Sequence, residues 1–297
     1  MVFFSGLLYG KMGISLFFFH YSRYAGNSLY DEYAHYLVDI VKSQIHEDYP
    51  LDYERGLAGV GTGFNYLKKH GYFDVGDDYM SNIDSKIIKA VYHERRVGLL
   101  TGFGRYLLSR YESNPSMKDS LIQLVDLLIN HSESTQNNET LSLLCDLYLL
   151  DIEKEKIDSY LSDSMDALIK DVQKEPVSEK LFSLIKFSHI PSCSLWRPAA
   201  CEALDTVFTK KRTQLTGIDN LQWLLQCEYL LKNDIFQPFI SKVKRRIIKN
   251  IDSFQISKLD EIFSDHQDFA FHGGYAGLGL ALLSVSNPEH NKWITML

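Results

Sequence analysis

The sequence predicts an all-α chain, an α/α toroid of about seven inner and six or seven outer helices. Two observations carry this: a glycine motif that recurs at a nearly constant spacing, and amphipathic stretches of helical periodicity between the recurrences. A third is negative, since no stretch alternates in the way a half-buried strand does.

The glycine motifs are Gly10-Lys-Met-Gly13, Gly56-Leu-Ala-Gly59-Val-Gly61, Leu99-Leu-Thr-Gly102-Phe-Gly104 and Gly274-Tyr-Ala-Gly277-Leu-Gly279. Each runs into an apolar helical stretch. Gly13 and Gly59 stand 46 residues apart, Gly59 and Gly102 stand 43 apart, and Gly102 and Gly277 stand 175 apart, four periods of about 44. Three repeats that have lost their glycines are then expected near Leu141, Leu181 and Leu221, where apolar helical stretches do occur. Outer helices are expected over 29–46, 83–92, 117–129, 157–172, 199–208 and 236–251, with prolines such as Pro50, Pro115, Pro176, Pro191 and Pro238 at their boundaries. The organisation expected is one domain over residues 1–297. Glycine suits an inner helix start because backbones converging on one axis leave no room for a Cβ.

Composition bounds the function classes. Of 297 residues, 45% are hydrophobic and 23% charged, as in a water-exposed globular chain with a large core. The net charge is −7, and the densest basic run, Lys242 to Lys249, reads as a solvated outer face. Nucleic acid is therefore not an expected partner. No run reaches membrane-spanning length, and the apolar stretch Gly13–Phe19 is too short and lacks a cleavage site, so a cytoplasmic location and no membrane partner are expected. Cys145, Cys193, Cys201 and Cys227 form no CxxC pair and read as free, mostly buried thiols.

Asp52-Tyr-Glu-Arg-Gly56-Leu-Ala-Gly59-Val-Gly61 is the most specific element. With the ring of GxxG helix starts, it resembles the lanthionine synthetase C-like (LanC-like) family. The resemblance extends over the chain by period and over four of seven repeats by motif. It implies that Asp52 faces the lumen, where it could do acid–base work; an Asp that only shapes a turn is the competing reading. The family's cyclases hold zinc with a Cys in one late repeat and an adjacent Cys-His pair in the next. Here no Cys-His-Gly occurs, and His189 and Cys193 are separated by Pro191. The expectation is no zinc and no other cofactor.

His272, in His272-Gly273-Gly274, is the second candidate acid or base, because an imidazole titrates near neutral pH. Asp52 and His272 each precede an inner helix start, so they are expected to face one cavity. Loops at the same mouth add Tyr9, Tyr53, Glu54, Arg55, His93, Asp265, His266 and Tyr275 as candidate ligand-binding residues, the tyrosines supplying stacking faces and hydroxyls. The resemblance implies a peptide substrate or precursor peptide in the lumen, and a peptide-modifying enzyme as a further partner. Two other functions compete. A glycoside hydrolase needs two carboxylates, which Asp52, Glu54, Asp265 and Asp268 could supply; a scaffold needs none.

Overall fold

The computed structural model describes residues 4–131, 137–190, 195–210, 218–232, 234–253 and 269–297. The described residues are helical with connecting turns and contain no strand. They fall into two compact units, residues 1–120 with 254–297, and residues 121–253.

The N-terminal part of the first unit holds five helices whole: α1 (Lys11–Ala25), α2 (Ser28–Gln44), α3 (Leu57–Lys69), α4 (Asp77–His93) and α5 (Val97–Tyr111). A sixth, α6 (Lys118–Ile129), begins in it. The second unit alternates α7 (Asn138–Leu149), α8 (Lys154–Lys174), α9 (Glu179–Phe187), α10 (Arg197–Asp205), α11 (Ile218–Leu230) and α12 (Gln237–Asp252). A π-helical turn, Thr206–Lys210, follows α10. The chain then contributes α13 (Tyr275–Ser286) to the first unit, followed by a 3-10 segment, Pro288–Met296.

Inner and outer helices differ as the periodicity requires. In α3 every residue from Leu57 to Leu67 is buried, although three of them are glycines. Glycine inside a helix costs about 1 kcal/mol relative to alanine, so this helix holds by burial on all sides rather than by propensity. The outer helix α12 buries only Phe239, Val243, Ile247 and Asn250, one stripe at helical spacing. Its basic run therefore faces water, as expected for a solvated face. Side-chain caps start several helices: Asn27 Oδ1 accepts from Leu29 N at 3.0 Å for α2, and Asn137 Oδ1 accepts from Thr140 N at 3.1 Å for α7.

In the first unit, α1 packs against α2, α3 and α13, and α3 packs against α4 and α5. The last inner helix thus returns beside the first. The expected inner starts at Gly13, Gly59, Gly102 and Gly277 lie in α1, α3, α5 and α13, and Leu141, Leu181 and Leu221 lie in α7, α9 and α11. In the second unit α9 is tied to α7 by Lys186, whose Nζ donates to Ser142 Oγ and Asp146 Oδ2, both at 2.7 Å.

A buried ion pair joins α4 to α5. Arg110 Nε and Nη2 donate to the two carboxylate oxygens of Asp84 at 2.9 and 2.7 Å. Tyr106 Oη also donates to Asp84, and Arg110 Nη1 reaches toward Asn65 of α3. Among the described residues no helix is long and apolar enough to cross a membrane.

Candidate functional site

Three loops that precede inner helices meet at one end of the first unit. They are residues 4–10 before α1, 50–56 before α3 and 269–274 before α13. Leu8 is the junction. Its amide donates to Glu54 O at 3.0 Å, and its carbonyl accepts from Phe271 N at 3.0 Å and His272 N at 3.1 Å. The loops also lock onto the helices they feed. A Cβ at Gly59 would overlap the Tyr53 carbonyl oxygen, and one at Gly13 would overlap Leu7 O and the Phe271 side chain. Close backbone approach at these two positions is why the periodic motif is glycine.

Each candidate residue in these loops has a defined place. Tyr9 and His272 are half-buried and meet edge to face, with ring centroids 6.0 Å apart. The exposed Arg55 guanidinium lies 5.6 Å from the Tyr9 ring centroid and 5.0 Å from that of Phe4. Asp52 is half-buried, and its Oδ1 accepts from Arg55 N at 2.7 Å. That bond is a turn-shaping one, so Asp52 does the structural job weighed against acid–base work. Asp52 and His272 are therefore linked through Arg55 and Tyr9. Glu54 is exposed and contributes its carbonyl to the junction. Tyr275 opens α13, half-buried against Phe269 at 5.7 Å between centroids.

Tyr53 turns inward instead. It is buried, and its hydroxyl donates to Met296 O at 3.1 Å. Arg105 of α5 lies 5.5 Å from its ring centroid. His93 is exposed at the end of α4, and among the described residues no contact joins it to Tyr9, Asp52 or His272. Its neighbour Glu94 organises the turn into α5. The Glu94 carboxylate accepts from Arg95 N, Arg96 N and the Arg96 guanidinium, which hold its pKa down at about 2. Asp265, His266 and Asp268 lie outside the described residues.

Among the described residues the side chains do not assemble the zinc site that the resemblance implies. Among the described residues no group of three His, Cys, Asp or Glu side chains stands close enough to hold an ion. Cys227 is fully buried on α11, and burial pushes its thiol well above the ordinary cysteine range. Cys145 is also buried, and Cys193 lies outside the described residues.

A second polar cluster, not expected from the sequence, lies toward the other end of α1 and α3. His20 is buried. Its Nε2 is 2.9 Å from Tyr66 Oη, and its Nδ1 is 3.0 Å from His290 Nδ1 and 3.2 Å from Tyr72 Oη. Arg23 stacks 3.4 Å from the Tyr72 ring centroid and donates to the carbonyls of His70 and Gly71. Burial first, then His290 and Arg23, depress the His20 pKa to about 3, and burial raises that of Tyr66. The signal was available: His20 and Tyr66 each stand seven residues after a motif glycine, Gly13 and Gly59.

No curated protein matches the chain. The family model for lanthionine synthetase C-like proteins matches residues 5–160, which include two of the three meeting loops and the helices α1 to α5. That span is more than half of the 297 residues, and the chain belongs to the lanthionine synthetase C-like family.

Proposed function

We propose that this protein binds a linear peptide at the mouth formed by residues 4–10, 50–56 and 269–275, and serves peptide maturation without zinc-dependent cyclisation. One observation carries the reading: Tyr9, Asp52, Arg55 and His272 are held in one backbone-locked cluster through Leu8. The cluster offers what an extended peptide needs. Two half-buried rings present apolar faces, an exposed guanidinium offers donors to carbonyls, and a carboxylate accepts from amides. The family adds peptide chemistry as the expected ligand class. In this reading Asp52 and His272 orient the peptide and exchange protons with it, and Tyr9, Arg55 and Tyr275 hold it. A modifying enzyme that delivers the peptide is the second partner. The glycosidase alternative calls on Asp52, Glu54, Asp265 and Asp268, of which the last two lie outside the described residues.

The test is selection of a displayed library of linear peptides containing Ser, Thr and Cys on the purified chain. The expected result is enriched sequences whose affinity falls at least about tenfold on Asp52→Ala or His272→Ala, the size of one lost charge-assisted contact. Affinity unchanged in both variants, or no enrichment beside binding of an oligosaccharide, overturns the reading.

A further inference from the structure

Arg55 is held firmly at its backbone, yet its charge is left without a partner. Its amide donates to Asp52 Oδ1 at 2.7 Å, and its carbonyl accepts from Tyr49 Oη at 3.2 Å. Tyr49 Oη accepts in turn from Ser5 N at 3.3 Å. Gly6 lies so close that a Cβ there would overlap the Arg55 Cα and carbonyl carbon. The 4–10 and 50–56 loops are thus joined at this residue as well as at Leu8. Beyond the backbone, the guanidinium sits 5.0 Å from the Phe4 ring centroid and 5.6 Å from that of Tyr9. Two rings restrict a side chain that would otherwise swing freely.

What the guanidinium lacks is an acceptor. Among the described residues it makes no hydrogen bond and no ion pair. Arg23, Arg95, Arg96 and Arg110 of the same unit each donate to a carbonyl or a carboxylate. The neighbouring acids do not serve it. Asp52 turns an oxygen to the Arg55 amide, and Glu54 is exposed and gives the Leu8 junction only its carbonyl. Both acids lower the net attraction for an anion, so the fork's geometry rather than the summed charge decides what fits. A planar group of five donors, fixed and unpaired, matches a carboxylate, which takes two parallel N–H bonds. Exposed Phe4 and Phe269 offer apolar contact at the same mouth.

We propose that Arg55 is the specificity-determining residue of the mouth and selects peptides that carry a carboxylate next to an apolar side chain. This selectivity rests on the peptide-binding reading above and gives its ligand an acidic class. An Asp or Glu side chain and a free peptide C-terminus present the same planar pair of oxygens, and the two sources separate by experiment.

A library of linear peptides, displayed through their N-termini, is panned on the full chain. Peptides selected by the wild-type chain should be rich in Asp or Glu beside Leu, Ile, Phe or Tyr, or should depend on a free C-terminus. Each is then synthesised with its acidic side chain changed to the amide, and with its C-terminus free or amidated. Calorimetric titration should show at least about a tenfold loss for one of these neutralisations on the wild-type chain and less than about twofold on Arg55→Gln. Whichever neutralisation causes the loss names the bound carboxylate. Arg55→Lys should recover only part of the affinity, because an ammonium lacks the fork. Affinity indifferent to both neutralisations on the wild-type chain overturns the selectivity and leaves the peptide-binding reading standing. That comparison uses the wild-type chain alone, so it decides even where Arg55→Gln does not melt cooperatively. If no peptide is enriched, the peptide-binding reading fails, and N-acetyl-L-glutamate tests Arg55 by itself. A saturable shift of the Arg55 Nε–H resonance, absent with N-acetyl-L-glutamine, upholds the carboxylate site, and no shift overturns it.

Discussion

His20 and His290, 270 residues apart in sequence, place their Nδ1 atoms 3.0 Å from each other. One must donate and the other accept, so one of the two facing nitrogens carries a proton and the other lacks it, and the pair does not tolerate two charges. Tyr66, Tyr72 and Tyr24 line the pair; Arg23 and Lys292 add positive charge nearby, His70 is a third imidazole, and Glu289 is the carboxylate beside His290. This contact ties the segment after α13 to α1.

The pair makes stability pH-dependent, with a definite sign. The His20 pKa falls to about 3 in the folded chain, below the unfolded value of about 6.5. Between those values the unfolded chain binds the extra proton, so stability is fully present above about pH 6.5 and declines as pH falls toward 3. The slope from one such group is at most about 1.4 kcal/mol per pH unit. His290 and His70 are depressed in the same direction, each by burial first. Urea unfolding at pH 7.5 and 5.5 should show a lower midpoint at the acid value, and His20→Asn should flatten the difference. A midpoint independent of pH over that range would contradict the assignment.

Asp84 and Arg110 form the buried ion pair whose removal should be most costly. Asp84→Ala leaves a guanidinium and the Tyr106 hydroxyl without their acceptor, and is expected to destabilise by about 3–5 kcal/mol. Adding Arg110→Met should recover part of that loss, since it removes the uncompensated charge. Thermal melts of the single and double variants check this; a double variant no more stable than Asp84→Ala would show that the charge is not the cause.

Gly59→Ala tests the loop-to-helix lock. The added Cβ meets the Tyr53 carbonyl oxygen and Leu7 Cβ, and the first is backbone that cannot rotate away. A loss of about 1–3 kcal/mol is expected, with the 50–56 loop exchanging hydrogen faster. At Gly98, where a Cβ would meet nothing within 4 Å, the same substitution should leave the melt unchanged or slightly raised.

Much of this was legible in the residues, for identifiable reasons. Periodic glycines mark α1, α3, α5 and α13, and the same steric demand recurs at Gly13, Gly59 and Gly102. The glycine-free starts at Leu141, Leu181 and Leu221 were legible only through the period. The meeting of the Tyr9, Asp52 and His272 loops was legible because each precedes such a start. Tyr53 was not placed correctly by that logic. Its partner, Met296, comes from a segment that follows the last repeat and so has no position in the period. His20 was passed over because a lone imidazole directly after the run Ile14–Phe19 reads as the end of an apolar stretch. Its equivalence to Tyr66, one period on, was visible but only meaningful once α1 and α3 were neighbours.

Asp52 carries a turn and is proposed to carry binding, and two substitutions separate these roles. Asp52→Asn keeps an oxygen that can accept from Arg55 N, so the melt should stay within about 0.5 kcal/mol. Asp52→Ala loses that acceptor and should cost about 1 kcal/mol. If the carboxylate serves the ligand, peptide affinity should fall in both variants. Affinity retained in Asp52→Asn would assign Asp52 to the turn alone.

The most direct measurement is photocrosslinking of a library-selected peptide to chains carrying p-benzoylphenylalanine at position 9 or at position 36. Tyr9 lies at the proposed mouth, stacked edge to face with His272, while Tyr36 is exposed on the outer helix α2. A covalent peptide adduct at position 9, competed by unlabelled peptide and absent at position 36, is the result expected if the peptide enters at the meeting loops. An adduct at position 36 with none at position 9 would place binding on the outer helices and contradict the account.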